Sequence, residues 1–192
     1  MELTAMCDID NPLYGEAGAA AVFAPQKGAD AAMVARLDAG LRHLGQVSAR
    51  CLGRDFSHLP GAGAAGGLGF GMAAFCGAQL RMGIDAVLDA VGFDSLLPGT
   101  DVVFTGEGKI DSQSARGKVV SGVAARCRKA GVPVVAVVGQ IGQGFEEMYQ
   151  QGLTAVFSSN RAAQPFAESR FHAGENLALT MENIARLLAA GR

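Results

Sequence analysis

One stretch decides the fold, residues 101–139, which read DVVFTGEGKIDSQSARGKVVSGVAARCRKAGVPVVAVVG. The apolar run at 101–106 ends in glycine and is typical of a buried strand. Residues 114–130 place apolar side chains at helical spacing, and a glycine and a proline end that helix. The β-branched run at 132–139 is a second strand. Two apolar strands joined by a helix predict a parallel α/β sheet.

The chain beyond this stretch continues the alternation. Residues 145–152 form a short predicted helix ended by glycine, and the apolar run at 153–159 is a third strand. Residues 176–191 have the pattern of an amphipathic helix, with Asn176 as its N-cap. We therefore expect a Rossmann-like or flavodoxin-like C-terminal segment.

The N-terminal half is rich in helices and glycine. Helical patterns occupy about 29–51, 68–82 and 84–92, and only one or two weak strand candidates precede residue 97. Because proline and glycine interrupt the chain at 96–100, we place a domain boundary there, giving segments 1–97 and 98–192. A helical segment without its own sheet is expected to be part of a second, larger α/β domain.

Composition excludes several classes of protein. With 49% hydrophobic and 18% charged residues, the 192-residue chain is globular and not disordered. A net charge of −2 argues against nucleic acid or an anionic membrane as the main partner. Glycines and charges interrupt every apolar run, and the acidic N-terminus does not resemble a signal peptide. The scattered cysteines fit neither zinc nor disulfides. A soluble cytoplasmic protein is predicted.

The loop after the first strand carries more polar side chains than a reversing turn needs. Glu107 and Asp111 are separated by a flexible glycine turn, so both carboxylates can converge on one cation. Mg²⁺ prefers one or two carboxylates, with water and phosphate oxygens as its other ligands. Lys118, in the following helix, can reach a phosphate. The alternative is a solvated loop in which Ser112 or Ser114 caps the helix.

A glycine run, GAGAAGG at 61–67, matches the pattern G-x-G-x-x-G. A dinucleotide-binding fingerprint needs a strand directly before it, but a polar turn that ends in proline precedes this run. Two interpretations stay open: an anion held by backbone N–H groups where a helix begins near Leu68, or a tight turn that lets helices pack closely.

Three segments together resemble the type I glycerate kinase family, and the resemblance extends in order over nearly the whole chain. They are CDIDNPLYGEAGAAAVFAPQKGA at 7–29, PGAGAAGGLGFG at 60–71 and TGEGKIDSQSARGKV at 105–119. The resemblance implies ATP-dependent phosphorylation of a hydroxyl of D-glycerate to give 2-phosphoglycerate, with Mg²⁺. It also implies the family's fold, in which a second α/β domain is inserted within the first.

The resemblance implies roles for individual residues. The catalytic carboxylates are Asp8, Glu107 and Asp111, among which the base and the metal ligand are not distinguished. Glu107 and Asp111 are also the expected metal ligands. The predicted residues that bind glycerate or phosphate are Asn11, Lys27, Gly61, Gly63, Gly66, Gly67, Ser112 and Lys118.

The resemblance covers only the C-terminal half of the family's longer chains. Residues 1–97 would then be the latter part of the inserted domain, and residues 98–192 the latter part of the Rossmann-like domain. We expect weak or absent activity alone, and a homo-oligomer that covers exposed sheet edges. One alternative is a non-catalytic module that binds a small anion or serves in oligomerisation. A further alternative, an NAD-dependent oxidoreductase, depends on the glycine run alone.

Overall fold

The structure is a computed structural model that describes residues 2–112, 114, 118–162 and 165–191. The chain divides into two compact units, Met1–Val87 and Leu88–Arg192. The sequence placed the boundary slightly later, after residue 97. That the two segments are parts of an inserted domain and of its host domain stays a prediction.

The first unit combines helices with one short sheet. Its elements are β1 (Thr4–Cys7), α1 (Ala19–Phe23), α2 (Ala31–Leu52), α3 (Leu68–Cys76) and β2 (Gln79–Met82), with 3-10 turns at Pro25–Lys27 and Ala64–Gly66. The helix α4 (Gly83–Ala90) follows β2 directly. Strands β1 and β2 pair in parallel, with Thr4 opposite Gln79 and Cys7 opposite Met82.

The strand β2 corrects two expectations. The sequence predicted one helical stretch over 68–82, but α3 ends at Cys76 and the chain then forms a strand. The turn occurs at Gly77, which adopts the left-handed conformation (φ +67°) that favours glycine. The N-terminal segment therefore has a two-stranded parallel sheet of its own, although the sequence suggested that it had none.

The core of the first unit is built around Leu13, Ala62 and Phe70, all of which are buried. Leu13 belongs to the turn after β1, whereas Phe70 projects from α3. The long helix α2 starts at Asp30, whose carboxylate accepts a hydrogen bond from the backbone N–H of Met33 (2.8 Å). This core fixes the turn after β1 against the glycine run.

The second unit contains the parallel sheet that the sequence predicted. Its elements are α5 (Phe93–Leu96), β3 (Val103–Thr105), β4 (Lys109–Ile110), α6 (Val119–Ala130), β5 (Val134–Val138), β6 (Gln140–Ile141), α7 (Glu147–Gln150), β7 (Ala155–Ser158), α8 (Phe166–Ser169) and α9 (Ala173–Ala190). The main sheet has the order β3–β5–β7, and both pairings are parallel. A small parallel pair, β4 with β6, extends beyond it.

Helix packing buries the central strand β5 completely. Val135 and Val137 pack against Ile184 of α9, so this helix covers one face of the sheet. The alternate residues Val134 and Val138 point to the other face and are also buried. A strand with both faces covered explains the continuous apolar run in the sequence.

Two predicted helix starts are wrong. Helix α9 begins at Ala173, so Asn176 lies inside the helix and does not cap it; a 3-10 turn at Arg170–His172 leads directly into the helix. Helix α6 begins at Val119, with Lys118 as its N-cap, although the sequence predicted a start near residue 114. Residues 115–117 lie outside the described part of the chain.

Across the described residues, we find no helix with both the length and the apolar character needed to cross a membrane. The cytoplasmic location stays a prediction.

Candidate functional site

A cavity of about 550 Å³ lies at the carboxyl edge of the β3–β5–β7 sheet. Parallel strands bring their carboxyl ends to one edge, and ligands of open α/β sheets bind there. The lining comes from the loops that follow all three strands and from the start of α9. It includes Gly108, Lys109, Ser159, Asn160, Arg170 and Asn176.

The loop after β3, residues 106–112, is held against the segment that follows β5. The backbone N–H of Gly139 donates to the carbonyl of Glu107 (3.2 Å), and that of Gln140 donates to the carbonyl of Gly108 (3.0 Å). A Cβ atom at Gly106 would collide with the carbonyl oxygen of Val137, so glycine is required where β3 ends. We call residues 106–112 the acid loop.

Glu107 has a feature that distinguishes it from the other acids of this loop. Its side chain is half-buried, and its Oε1 atom is buried without a hydrogen-bond partner among the described residues. A buried carboxylate oxygen without a partner destabilises the fold and is uncommon in native structures. It is the donor that a hard cation such as Mg²⁺ binds. The residue therefore fits a metal ligand.

Asp111 is engaged differently. Its Oδ2 atom lies 3.0 Å from the ammonium nitrogen of Lys109, and its backbone N–H donates to the hydroxyl of Ser114 (3.2 Å). The sequence suggested that Glu107 and Asp111 converge on one cation, but the cation beside Asp111 is a lysine of the same loop. In the part of the chain that the structure describes, no group of three His, Cys, Asp or Glu side chains is arranged to hold a metal.

The remaining predicted residues of this unit are Ser112, at the end of the acid loop, and Lys118, six residues further along the chain. Ser112 is exposed, and its backbone N–H donates to the carbonyl of Gln143 (3.2 Å). Neither Ser112 nor Ser114 caps α6, because the helix starts at Val119. Lys118 is exposed in extended backbone directly before that helix, so it precedes the helix instead of lying within it.

In the first unit, the turn after β1 carries Asp8 and Asn11. Asp8 is exposed, and its Oδ1 atom lies over Gly83, where a Cβ would be only 2.7 Å away. The side chain of Asn11 donates to the carbonyl of Ala17 (2.8 Å). Asn11 thus holds the turn through one N–H of its side-chain amide.

The glycine run packs against this turn. The backbone N–H of Gly63 donates to the carbonyl of Asn11 (2.9 Å), and a Cβ at Gly63 would collide with the carbonyl of Pro12. The N–H groups of Gly66 and Gly67 also donate within the run, to Gly63 and Ala64 (3.2 Å each). A Cβ at Gly61 would lie 3.2 Å from that of Cys7. These contacts favour the tight-turn interpretation of the run over anion binding.

Lys27 lies at a separate, small cavity of the first unit. This cavity measures about 170 Å³ and is lined by apolar residues of α1 and α2, with Lys27 and Gly66 at its margin. Lys27 is exposed at the end of a 3-10 turn. The structure therefore places Lys27 near one glycine of the run.

A comparison with protein families decides the family of the chain. The model described as the glycerate kinase family matches residues 1–189. The chain belongs to the glycerate kinase family.

Individual members of the glycerate kinase family agree with this result. A glycerate kinase of Bacillus subtilis (strain 168) is 43% identical over 185 residues, which are 96% of this chain and 48% of that protein. A glycerate 2-kinase of Escherichia coli (strain K12) is 41% identical over 185 residues, which are 96% of this chain and 49% of that protein. A crystal structure assigned to glycerate kinase 2 from Salmonella typhimurium LT2 matches with a TM-score of 0.79 and 43% sequence identity. The match covers 99% of this chain and 49% of that one. The chain spans about half the length of these relatives.

Several residues that line the large cavity were not among the site residues predicted from the sequence. Lys109 and Arg170 are its cations, and Ser159 and Asn160 are polar residues directly after β7. Asn160 and Ser159 carried a usable signal, because they follow a predicted strand at its carboxyl end. Arg170 carried none, since its position depends on how the chain returns to start α9.

The four cysteines of this chain allow a prediction about thiol reactivity. Burial and, to a smaller extent, Asp8 raise the pKa of Cys7 above its ordinary value of 9.0, and burial followed by Asp94 raises that of Cys127. Cys51 and Cys76 are exposed. We expect iodoacetamide to modify Cys51 and Cys76 in the folded protein and to leave Cys7 and Cys127 unmodified, as peptide mass mapping will show.

The same pKa shifts set the sign of a pH effect on stability. Unfolded thiols lose their protons near pH 9, whereas the two buried thiols stay protonated in the folded state. The contribution of these two thiols to the free energy of unfolding is therefore fully present below about pH 9 and falls as the pH rises further. Urea unfolding of a C51S/C76S variant at pH 8 and pH 10 measures the loss. If iodoacetamide modified Cys7 as fast as Cys51, the description of Cys7 as a buried thiol of low reactivity would be wrong.

Proposed function

We propose that this chain is the part of a glycerate kinase that contains the acid loop, and that the enzyme transfers the γ-phosphoryl group of ATP to D-glycerate. The product is 2-phosphoglycerate. One observation in the structure carries the proposal: Glu107 keeps a buried carboxylate oxygen that has no partner in the described part of the chain, at the carboxyl edge of a parallel sheet and next in the chain to Gly108 of a large cavity. The family membership supplies the substrate class.

The reaction requires positioning and charge neutralisation more than covalent help from the protein. The oxygen of the C2 hydroxyl of glycerate forms a bond to the γ-phosphorus, and the bond from that phosphorus to the β–γ bridging oxygen breaks. The bridging oxygen leaves with its electron pair on ADP. A carboxylate accepts the hydroxyl proton and passes it to solvent.

Different residues of this chain are proposed for metal binding, proton acceptance and phosphate binding. Glu107 would hold Mg²⁺, which neutralises phosphate charge when it is bound. Asp8, exposed at the carboxyl end of β1, is the proposed base. Asp111 is a weaker candidate for either role, because its carboxylate forms an ion pair with Lys109. Ser112, exposed at the end of the acid loop, and Lys118, exposed directly before α6, stay proposed contacts of phosphate.

The second candidate is a non-catalytic module that binds a small anion or associates with other subunits. It is favoured by the coverage, since the chain spans about half of each relative. The oxidoreductase alternative lacks the strand that a dinucleotide fingerprint requires, because residues 53–60, directly before the glycine run, form turns, bends and irregular backbone.

A coupled assay of ADP release separates the kinase from the non-catalytic module. We expect weak or absent D-glycerate-dependent turnover by the chain alone. Turnover is expected to appear when the chain is co-produced with the part of the Bacillus subtilis relative that it does not match. Absence of turnover from a folded, associated pair would contradict the kinase proposal. Full activity of the isolated chain would contradict the expected dependence on the other part. Light scattering of the isolated chain tests the predicted homo-oligomer.

A further inference from the structure

We propose that the cavity at the carboxyl edge of the β3–β5–β7 sheet binds the triphosphate of the nucleotide, and that Arg170 is its principal cation. The assignment to a nucleotide rests on the proposed function, whereas the assignment to a multivalent phosphate rests on the cavity itself. Arg170 was not among the residues predicted from the sequence.

The positive charge of the cavity comes from three sources. Arg170 and Lys109 both line it, as do Ala173 and Asn176 from the first turn of α9. This 18-residue helix therefore begins beside the same space, where its N-terminus contributes a partial positive charge. An arginine, a lysine and a helix N-terminus around one cavity match an anion with several charges.

The two cations do not contribute equally. Lys109 is 3.0 Å from the carboxylate of Asp111, which neutralises much of its charge. Arg170 is exposed, and its guanidinium stacks on the ring of Phe171, with 4.6 Å between the guanidinium carbon and the ring centroid. Stacking on a ring orients the guanidinium without cancelling its charge. We therefore assign the larger share of anion binding to Arg170.

The polar residues after β7 complete the site. The backbone N–H of Ser159 donates to the carbonyl of Val138 (2.7 Å), and that of Asn160 donates to the hydroxyl of Ser158 (3.1 Å). These bonds fix the loop at the end of the sheet while the amide side chain of Asn160 remains exposed. It can donate to a phosphate oxygen.

The size of the cavity favours a nucleotide over glycerate. Its volume of about 550 Å³ is within the usual range for sites that bind cofactors and drug-sized molecules. A three-carbon acid would fill only a small part of it and needs one cation for its single carboxylate. The combination of volume and positive charge fits a polyphosphate better.

Calorimetry with inorganic tripolyphosphate in metal-free buffer tests the inference on the chain as it is. Replacement R170A is expected to weaken tripolyphosphate and Mg·ATP binding at least about tenfold, because a charge-assisted contact is lost. R170K should recover part of the loss. The matched control is R186A, since Arg186 lies near the other end of α9, where it pairs with Glu182. This control should bind tripolyphosphate normally.

A second test removes the ion pair between Asp111 and Lys109. Replacement D111N is expected to strengthen tripolyphosphate binding several-fold, because it frees the charge of Lys109 for the ligand. K109A should weaken binding less than R170A does. If Asp111 were instead a required metal ligand, D111N would weaken Mg·ATP binding without strengthening that of tripolyphosphate.

Several results would overturn the inference. These are no binding of tripolyphosphate at millimolar concentration, unchanged binding by R170A with a native circular dichroism spectrum, or displacement of tripolyphosphate by D-glycerate at equal concentration. The outcome is separable from the kinase assay. Binding that depends on Arg170 without any turnover by the reconstituted enzyme would retain the phosphate site and reject the proposed function.

Discussion

Replacement of Glu107 by Gln is expected to abolish the Mg²⁺-dependent part of ATP binding and to lower glycerate-dependent turnover at least about 100-fold. The carboxylate oxygen Oε1 has no hydrogen-bond partner among the described residues, and a neutral amide cannot replace it as a ligand of a hard cation. The same change should raise the free energy of unfolding by about 1 kcal/mol, because a buried amide costs less than a buried carboxylate. Gain of stability with loss of function would mark Glu107 as functional.

The measurement compares ATP binding with and without Mg²⁺ in the isolated chain, and turnover in the reconstituted enzyme. E146Q is the matched control, since Glu146 is an exposed glutamate next to α7 and is not among the residues that line the cavity. D8N, assayed in parallel, should lower turnover and leave Mg²⁺-dependent ATP binding intact if Asp8 is the base. An E107Q protein with normal Mg²⁺ dependence would remove Glu107 from the metal site.

The second large effect is expected from G69A in α3, which should lower the free energy of unfolding of the first unit by about 3 kcal/mol or more. A Cβ at Gly69 would collide with the carbonyl oxygen of Gly61. Because this obstacle is backbone, it cannot move aside as a flexible side chain would. The change is expected to separate α3 from the glycine run.

The control is G71A, two residues along the same helix, where a Cβ would meet no atom within 4 Å. It should raise the free energy of unfolding by about 0.5–1 kcal/mol, since alanine loses less backbone entropy than glycine in a helix. Urea unfolding followed by circular dichroism compares the two variants. Equal stability of G69A and G71A would show that the close approach of Gly69 to Gly61 is not required for folding.

The central strand of the main sheet was predictable because β5 is buried on both faces, and its neighbours β3 and β7 are short apolar runs at regular positions between helices. The continuous apolar run that predicts β5 follows directly from that burial, as the full burial of Val134 and Val138 shows. The short strand β2 was not predictable, since it closely follows α3 without a β-branched run and its partner β1 is distant in sequence. Its pairing depends on tertiary structure that no local pattern encodes.

The position of the candidate site was predictable from the sequence, but the contacts of its individual side chains were not. The acid loop follows a recognisable strand, so its position at the sheet edge came from a general rule. The ion pair between Asp111 and Lys109 was missed, because a flexible glycine turn allows many side-chain directions. Arg170 was missed because the loop that carries it meets the acid loop only in the folded chain.

The pairing of β4 with β6 has a consequence for ligand affinity. Backbone hydrogen bonds from Gly139, Gln140 and Gly142 hold the acid loop at three successive points, the carbonyls of Glu107, Gly108 and Ile110. The conformational entropy of this segment is therefore lost during folding and not at the moment of association. A metal or phosphate that arrives meets a preorganised frame, so the dissociation constant does not include the cost of ordering this segment.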